Sequence, residues 1–245
     1  PAGAAYVVQS AGSTFDIEFP PTPDARAGQG NPNGFTTGVS ISTVAWDGND
    51  GTGTDWSVAA NWDGDAVPVA DDAIVFNSDP AMTTLTYDLA DGLLLNGITF
   101  EAGAGEVTID PANPGDGITL GGGPAITNNA ANTQTINLDL DTDGDATFDA
   151  ASGDLDFGGA VTITSDTLTI TGDNNTSLTG ALAGAGDVHK TGSGTLIFDA
   201  DATGFTGDLG LASGTLQIGA NASVDADSTY TFSGGTILNQ AGGQV

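Results

Sequence analysis

Positive charge is almost missing from this sequence. Lys190 and Arg26 stand against 32 acidic residues, for a net charge of −30. A body of that sign repels phosphate backbones, so nucleic acid is excluded as a partner. Anionic membrane surfaces are disfavoured on the same ground. No apolar run reaches the ~18 residues that direct membrane insertion by a helix needs. Cysteine is absent, which removes disulfides and thiolate metal sites and leaves the redox compartment open. His189 is the sole histidine, so a zinc cluster or a Ser-His-Asp site has almost no material. Glutamate is scarce too: 29 of the acids are Asp and only 3 are Glu. Asp bonds to nearby backbone in turns, whereas Glu favours helices. Helix formers are few and no 3.6-residue periodicity persists, so no helix is expected.

Glycine is what the chain has in excess. Its 38 residues are about twice the usual share, without the G-x-y period of collagen. A length of 245 residues suffices for one large all-β unit or two domains with a real core. From residue 84 the chain reads as short β segments separated by small-residue turns. They fall at 84–89, 93–100, 107–109, 118–120, 125–127, 135–140, 146–148, 155–157, 161–163 and 168–170. They continue at 177–178, 188–189, 196–198, 208–211, 216–218, 223–224, 230–232 and 236–238. The form apolar-Thr-apolar recurs, as in Val107-Thr108-Ile109 and Val161-Thr162-Ile163. Its outer residues point in and its Thr points out.

Three such strands make one turn of a β-helix, about 20 to 28 residues. A sandwich needs longer strands and fewer Gly turns, and a propeller needs four-stranded blades of about 40 residues. The expected fold is therefore all-β, a single-stranded parallel β-helix or β-solenoid. Each thin coil buries little alone, but stacking makes a continuous apolar column with Asp and Thr outside. Three regions follow. Residues 1–45 carry strands at 6–8, 15–19 and 39–44 and a polar linker, and form a cap or a segment donated to a neighbouring subunit's edge. Residues 46–83 form a Trp-rich capping segment, and residues 84–245 form the solenoid. The ends at Pro1 and Val245 read as cuts from something longer, or as a processed terminus at Pro1.

The clearest rhythm lies in residues 184–219. Gly184, Gly186, Val188, Lys190, Gly192, Gly194, Thr195 and Leu196 open it, Phe205-Thr206-Gly207 connects, and Gly214, Thr215, Leu216 and Gly219 close it. This stretch resembles the autotransporter-associated β-strand repeat of large bacterial surface and secreted passenger proteins. Trp56, Asn61, Trp62, Gly64, Pro68, Asp72 and Phe76 also resemble the segment that often precedes such repeats. The two stretches cover less than a third of the chain, while residues 84–183 follow the strand pattern only loosely. The resemblance implies a right-handed parallel β-helix, an extracellular location, and a role in adhesins or structural surface proteins. It implies no ligand.

Candidate chemistry is sparse. Asp139, Asp141, Asp143 and Asp145 with Gly144 have the D-x-D-x-D-G spacing of a calcium loop. The bidentate acid of an EF-hand is missing, since Ala150 stands at the twelfth position. The alternation also reads as Leu138 and Leu140 inward with Asp139 and Asp141 outward. Asp71-Asp72 and Asp199/Asp201 are weaker candidates. Trp46, Trp56 and Trp62 offer rings for neutral glycans, or a plug for the end of an apolar core. His189 should face outward between Val188 and Lys190, and Lys190 should bond a turn carbonyl or carboxylate. Polysaccharide lyases need Lys or Arg against acidic sugars, and only Arg26 and Lys190 exist.

The function expected is a non-enzymatic, extracellular structural or adhesive β-helical segment of a bacterial surface protein. It needs no cofactor, with calcium as the candidate ion. Its partners are other copies of itself or further repeats, host or environmental surfaces, or neutral glycans. The alternatives are a self-polymerising subunit of a filament or surface layer, a neutral-glycan-binding module, and least of all a polysaccharide-degrading enzyme.

Overall fold

In the computed structural model, residues 42–48, 53–77, 84–224 and 228–239 are described. The strands expected at 6–8 and 15–19 lie outside them. The described chain winds into a parallel β-solenoid. From Ala73–Phe76 onward, each pass contributes one strand to a large sheet and one to a second, eight-stranded sheet. The large sheet runs from Thr43–Trp46 through Ala73–Phe76, Gly97–Phe100, Gly117–Asn128, Asp139–Ala150, Thr167–Gly172, Asp187–Lys190 and Leu209–Leu211 to Tyr230–Phe232. The second runs from Thr84–Tyr87 to Thr236–Asn239. Short strands at Val161–Ile163, Leu182–Gly184 and Gly204–Phe205 branch off the large sheet and give their coils a third side.

Coil length is read from the register. In the large sheet Ala146, Leu168, Val188, Leu209 and Tyr230 follow one another as partners, so one coil is the chain from Val188 to Leu209. In the second sheet Leu155, Thr176, Leu196, Leu216 and Ile237 follow one another at nearly the same interval. Nearer the N-terminus the coils are longer, as between Val44 and Ile74 and between Ile98 and Ile126. The strict pairing keeps inward residues in columns. Leu168, Val188 and Leu209 stack in one and Leu196 and Leu216 in another, all at most 1 % exposed. Alternation does this: in Thr195–Phe198 the second and fourth residues are buried and the others half-buried.

Two details depart from the sequence reading. The pieces at 118–120 and 125–127 are one 12-residue strand, Gly117–Asn128, and Asp139–Ala150 is likewise continuous. Pairing persists across Gly121–Gly123 because the register shifts there, a bulge that glycine accommodates. The described residues also contain one short 3-10 turn, Ala59–Asn61, where no helix was expected. It closes with Asn61 N–H donating to Val58 O at 3.0 Å and Trp62 N–H to Ala59 O at 3.0 Å. Among the described residues no helix is long and apolar enough to cross a membrane.

Candidate functional site

The Asp139–Asp145 stretch lies along an extended strand rather than a loop. Alternate residues there sit about 6.8 Å apart on one face, whereas a calcium loop wraps its ligands around one point. Asp141, Asp143 and Asp145 are exposed and Asp139 half-exposed. Among the described residues no group of three or more His, Cys, Asp or Glu side chains could hold a metal ion.

The carboxylates have another occupation. Asp139 Oδ1 accepts the N–H of Ala160 at 2.8 Å, and Asp145 Oδ1 that of Thr167 at 2.9 Å. Asp154 Oδ1 accepts from Asn175 N at 2.8 Å and Asp199 Oδ1 from Asn221 N at 2.7 Å. Asp187 Oδ1 accepts from Asp208 N at 2.9 Å, and Asp208 Oδ1 accepts in turn from Thr229 N at 3.2 Å. Asp166 reaches the other way, accepting from Gly144 N at 3.2 Å. Each bond joins a side chain on one coil to backbone on the adjacent coil. Apart from Gly144 at the bulge, the donors lie at or just outside strand ends, where backbone N–H groups need a partner. Expecting these aspartates to bond within their own turns was thus only half right, since many bond one full coil away. The signal was present in the spacing: Asp145, Asp166, Asp187 and Asp208 recur at a constant interval.

Asp201 accepts from Ser223 Oγ at 2.6 Å and from Thr203 N at 3.1 Å, and these bonds hold its carboxyl below the usual range. Asp149 and Asp156 are pushed the other way, by partial burial first and then by Asp173 and Asp154 respectively.

Lys190 is buried at 1 % exposure, in a column position held by Ile170 on one neighbouring coil and Leu211 on the next. Its stem packs as an aliphatic side chain. Its Nζ donates to the carbonyls of Thr191 and Gly192, in the turn that follows its own strand. Desolvation lowers its pKa below the ordinary lysine value. His189 faces outward over a shallow groove of about 280 Å³ that also touches Asp187, Asp208, Thr191 and Thr231. Gly210, between His189 and Thr231 in register, leaves the gap.

The repeat glycines sit where coils approach most closely. A Cβ on Gly184 would lie 2.0 Å from Ile163 O, and Gly184 also has φ +103°. A Cβ on Gly194 would lie 1.9 Å from Asn174 O. Both distances are far inside van der Waals contact.

The three tryptophans meet at the N-terminal end of the core. Trp46 is 3 % exposed and Trp56 and Trp62 are fully buried. Trp62 meets Trp46 edge-on at 5.0 Å and Trp56 at 5.1 Å, and Trp56 meets Tyr87 at 5.4 Å. Trp62 Nε1 donates to Trp56 O at 2.7 Å. No ring face in this cluster is open to stack on a sugar. The chain at 61–63 also runs antiparallel along the outer edge of Thr43–Trp46. Asp63 N–H donates to Ala45 O at 2.8 Å, Asp47 N–H to Asn61 O at 3.0 Å, and Trp46 bridges Trp62.

The opposite end differs. Phe232 stands in register with buried Leu211, and Ile237 with buried Leu216, yet they are 47 % and 41 % exposed. Among the described residues no strand pairs with the outer edge of Tyr230–Phe232 or of Thr236–Leu238.

Set against known protein families, curated proteins and solved structures, the chain has no match. The described residues thus define a structural β-solenoid without a metal or thiolate catalytic cluster.

Proposed function

We propose that this chain is a non-enzymatic structural segment of an extracellular bacterial surface protein, a right-handed β-helix of the autotransporter-associated type. The observation that carries this reading is where the polar groups are used. Asp, Asn, Ser and Thr side chains on the outside are engaged in coil-to-coil bonds, as at Asp187–Asp208–Thr229 and Asp199–Asn221. The chain's polar chemistry supports its own stacking. The acidic coat keeps such a rod soluble and separated from like-charged neighbours. Adhesion to host or environmental surfaces, through its faces or a distal domain, belongs to the same role.

The tryptophan cluster supports a core-capping role over a glycan-binding one, because its rings are spent on each other. The antiparallel run at 61–63 ends the parallel ladder on that side and supports the same role. Labelling intact producing cells with antibody to this chain, before and after protease shaving, tests the location. Surface label on rods or fibres, lost on shaving, is the expected result. Antigen confined to the cell interior contradicts it.

A second reading, a subunit that associates end to end, is favoured by the exposure, among the described residues, of Phe232 and Ile237 in register with buried core positions. Sedimentation at rising protein concentration tests it. A growing fast-sedimenting fraction supports it, and a monomer throughout contradicts it.

A further inference from the structure

On the outer face of the large sheet, one coil carries almost no side chain. Outward residues there fall in rows, one row to a coil. Asp187, His189 and Thr191 form one row, and Thr229, Thr231 and Ser233 form the row two coils on. Between them lie Asp208, Gly210 and Ala212, so the middle row is bare beyond Asp208. Adjacent strands stand about 4.8 Å apart, which puts the two outer rows about 9.6 Å apart. Roughly 6 Å stays clear between them once ~3.5 Å of contact distance is taken off. The result is the groove of about 280 Å³ beside His189. Its walls and floor all belong to described residues.

Floor and walls differ in chemistry. The strand Leu209–Leu211 pairs on both sides, with Val188–Lys190 and with Tyr230–Phe232. Its backbone groups are engaged in those ladders, so Gly210 and Ala212 offer a flat floor of C–H groups. The walls hold polar atoms with capacity to spare. A Cβ on Gly210 would lie 3.2 Å from His189 Cδ2 and 3.7 Å from His189 Nε2, so that edge of the imidazole faces the groove. Asp187 and Asp208 each commit Oδ1 to backbone of the next coil, and their Oδ2 atoms accept no bond among the described residues. Elsewhere on the coat both oxygens are used, as Asp199 uses them on Asn221.

Each feature narrows the ligand. Two carboxylates in a body of net charge −30 repel phosphate, sulfate and carboxylate groups. A flat C–H floor takes the face of a ring, and carboxylate, imidazole and hydroxyl walls take its O–H groups. An ammonium group alone would use the carboxylates and leave the imidazole and the floor unmatched. The volume lies near the ~300 Å³ at which small-molecule sites begin, so it holds one ring rather than a long chain. We propose that the groove binds one neutral pyranose ring of a glycan, its C–H face on Gly210 and Ala212 and its hydroxyls on Asp187, Asp208 and His189. An open groove of this size binds such a ring with a dissociation constant on the order of 1 mM. The site lies apart from the tryptophans and goes beyond the structural role, giving the side of the rod a point of attachment.

His189 is the chain's sole histidine, so its imidazole signal in a proton NMR spectrum is an isolated reporter. The full chain is titrated at fixed pH with the methyl glycosides of glucose, galactose and mannose, with glucuronate and with glucosamine. At least one neutral glycoside should shift the signal saturably, and glucuronate should bind at least ten-fold more weakly. G210V fills the floor, since its Cβ comes closest to the movable edge of the His189 ring and valine suits a strand. It should weaken glycoside binding at least ten-fold, read by saturation transfer to the sugar, while keeping the parent's urea midpoint. A212L, at an exposed position of the same floor, should do the same. No saturable shift with any of the three neutral glycosides overturns the proposal. Glucuronate bound as tightly as they are overturns it too, and so does glucosamine bound alone, which makes the groove a cation site. Parent-like binding in either variant that folds also overturns it.

Discussion

Gly194→Ala isolates the closeness of the coils from backbone strain. Gly194 is not in the left-handed region, so alanine meets no conformational penalty of that kind. Its Cβ would lie 1.9 Å from Asn174 O, 2.8 Å from Asn174 C and 3.0 Å from Asn174 N. These are backbone atoms and cannot swing aside. Reaching ordinary contact needs the two turns to separate by roughly 1.5 Å, since non-bonded atoms settle near 3.5 Å. Overpacking of this kind costs ~1–3 kcal/mol. The separation also stretches two inter-coil bonds, Gly194 N–H to Gly172 O (3.0 Å) and Thr215 N–H to Gly194 O (3.1 Å). Each is worth ~1 kcal/mol, so the total is about 3–5 kcal/mol. Gly204→Ala is the control, because its Cβ would meet Ala183 Cβ at an ordinary 3.5 Å. It should cost under ~1 kcal/mol, the scale of an exposed substitution. Urea titration followed by circular dichroism measures both. Hydrogen exchange around residues 172–215 then shows whether the loss is local, as expected where each coil touches only its neighbours. Equal costs for the two variants would refute the reasoning.

Lys190→Met should change stability by less than ~1 kcal/mol at pH 7, because a buried charge is exchanged for apolar volume. Lys190→Ala should cost ~2–4 kcal/mol through the cavity it leaves. The lowered pKa of Lys190 means that the unfolded chain binds more protons between that value and 10.5. Stability should therefore rise with pH in this window, and the rise should vanish in Lys190→Met. Asp156 has its folded pKa raised above 3.8, so its contribution falls as pH rises through that window. Asp156→Asn should raise the urea midpoint at pH 7 and leave it unchanged well below pH 3.8. Asp208→Ala should cost ~1 kcal/mol by leaving Thr229 N–H without its acceptor. Asp208→Asn keeps an acceptor oxygen and should be near neutral, with a gain at low salt where the Asp145–Asp208 column repels most.

The strand positions were legible because alternation survives in short pieces. Val161-Thr162-Ile163 and Leu196-Ile197-Phe198 announce an inward and an outward side by themselves. The coil length was legible too, since Thr195-Leu196 recurs as Thr215-Leu216 and the structure pairs the two on adjacent coils. The continuity of Gly117–Asn128 was not, because glycine reads as a break when its neighbour on the next coil is unknown. The aspartates were read as turn formers, but their main acceptor work is between coils. That role appears only when Asp187 and Asp208 N–H are brought to 2.9 Å by a full turn of the solenoid. The glycine rhythm at 184–194 was visible as a pattern, but its cause is the carbonyl of the coil beneath. The D-x-D-x-D-G spacing at 139–144 suggested a loop, and the ladder to residues 117–121 keeps it a strand.

The stacking of coils in strict parallel register is tested most directly by Ile197→Cys/Gln217→Cys. These two residues are partners on adjacent coils, and neither occupies a fully buried position. Adjacent strands stand about 4.8 Å apart, within disulfide reach, and no native cysteine competes. The pair should oxidise fully in the folded chain and raise its urea midpoint, while Ile197→Cys/Thr215→Cys, two positions out of register, should stay reduced. Equal oxidation of the two pairs, or oxidation of the out-of-register pair alone, would contradict the solenoid.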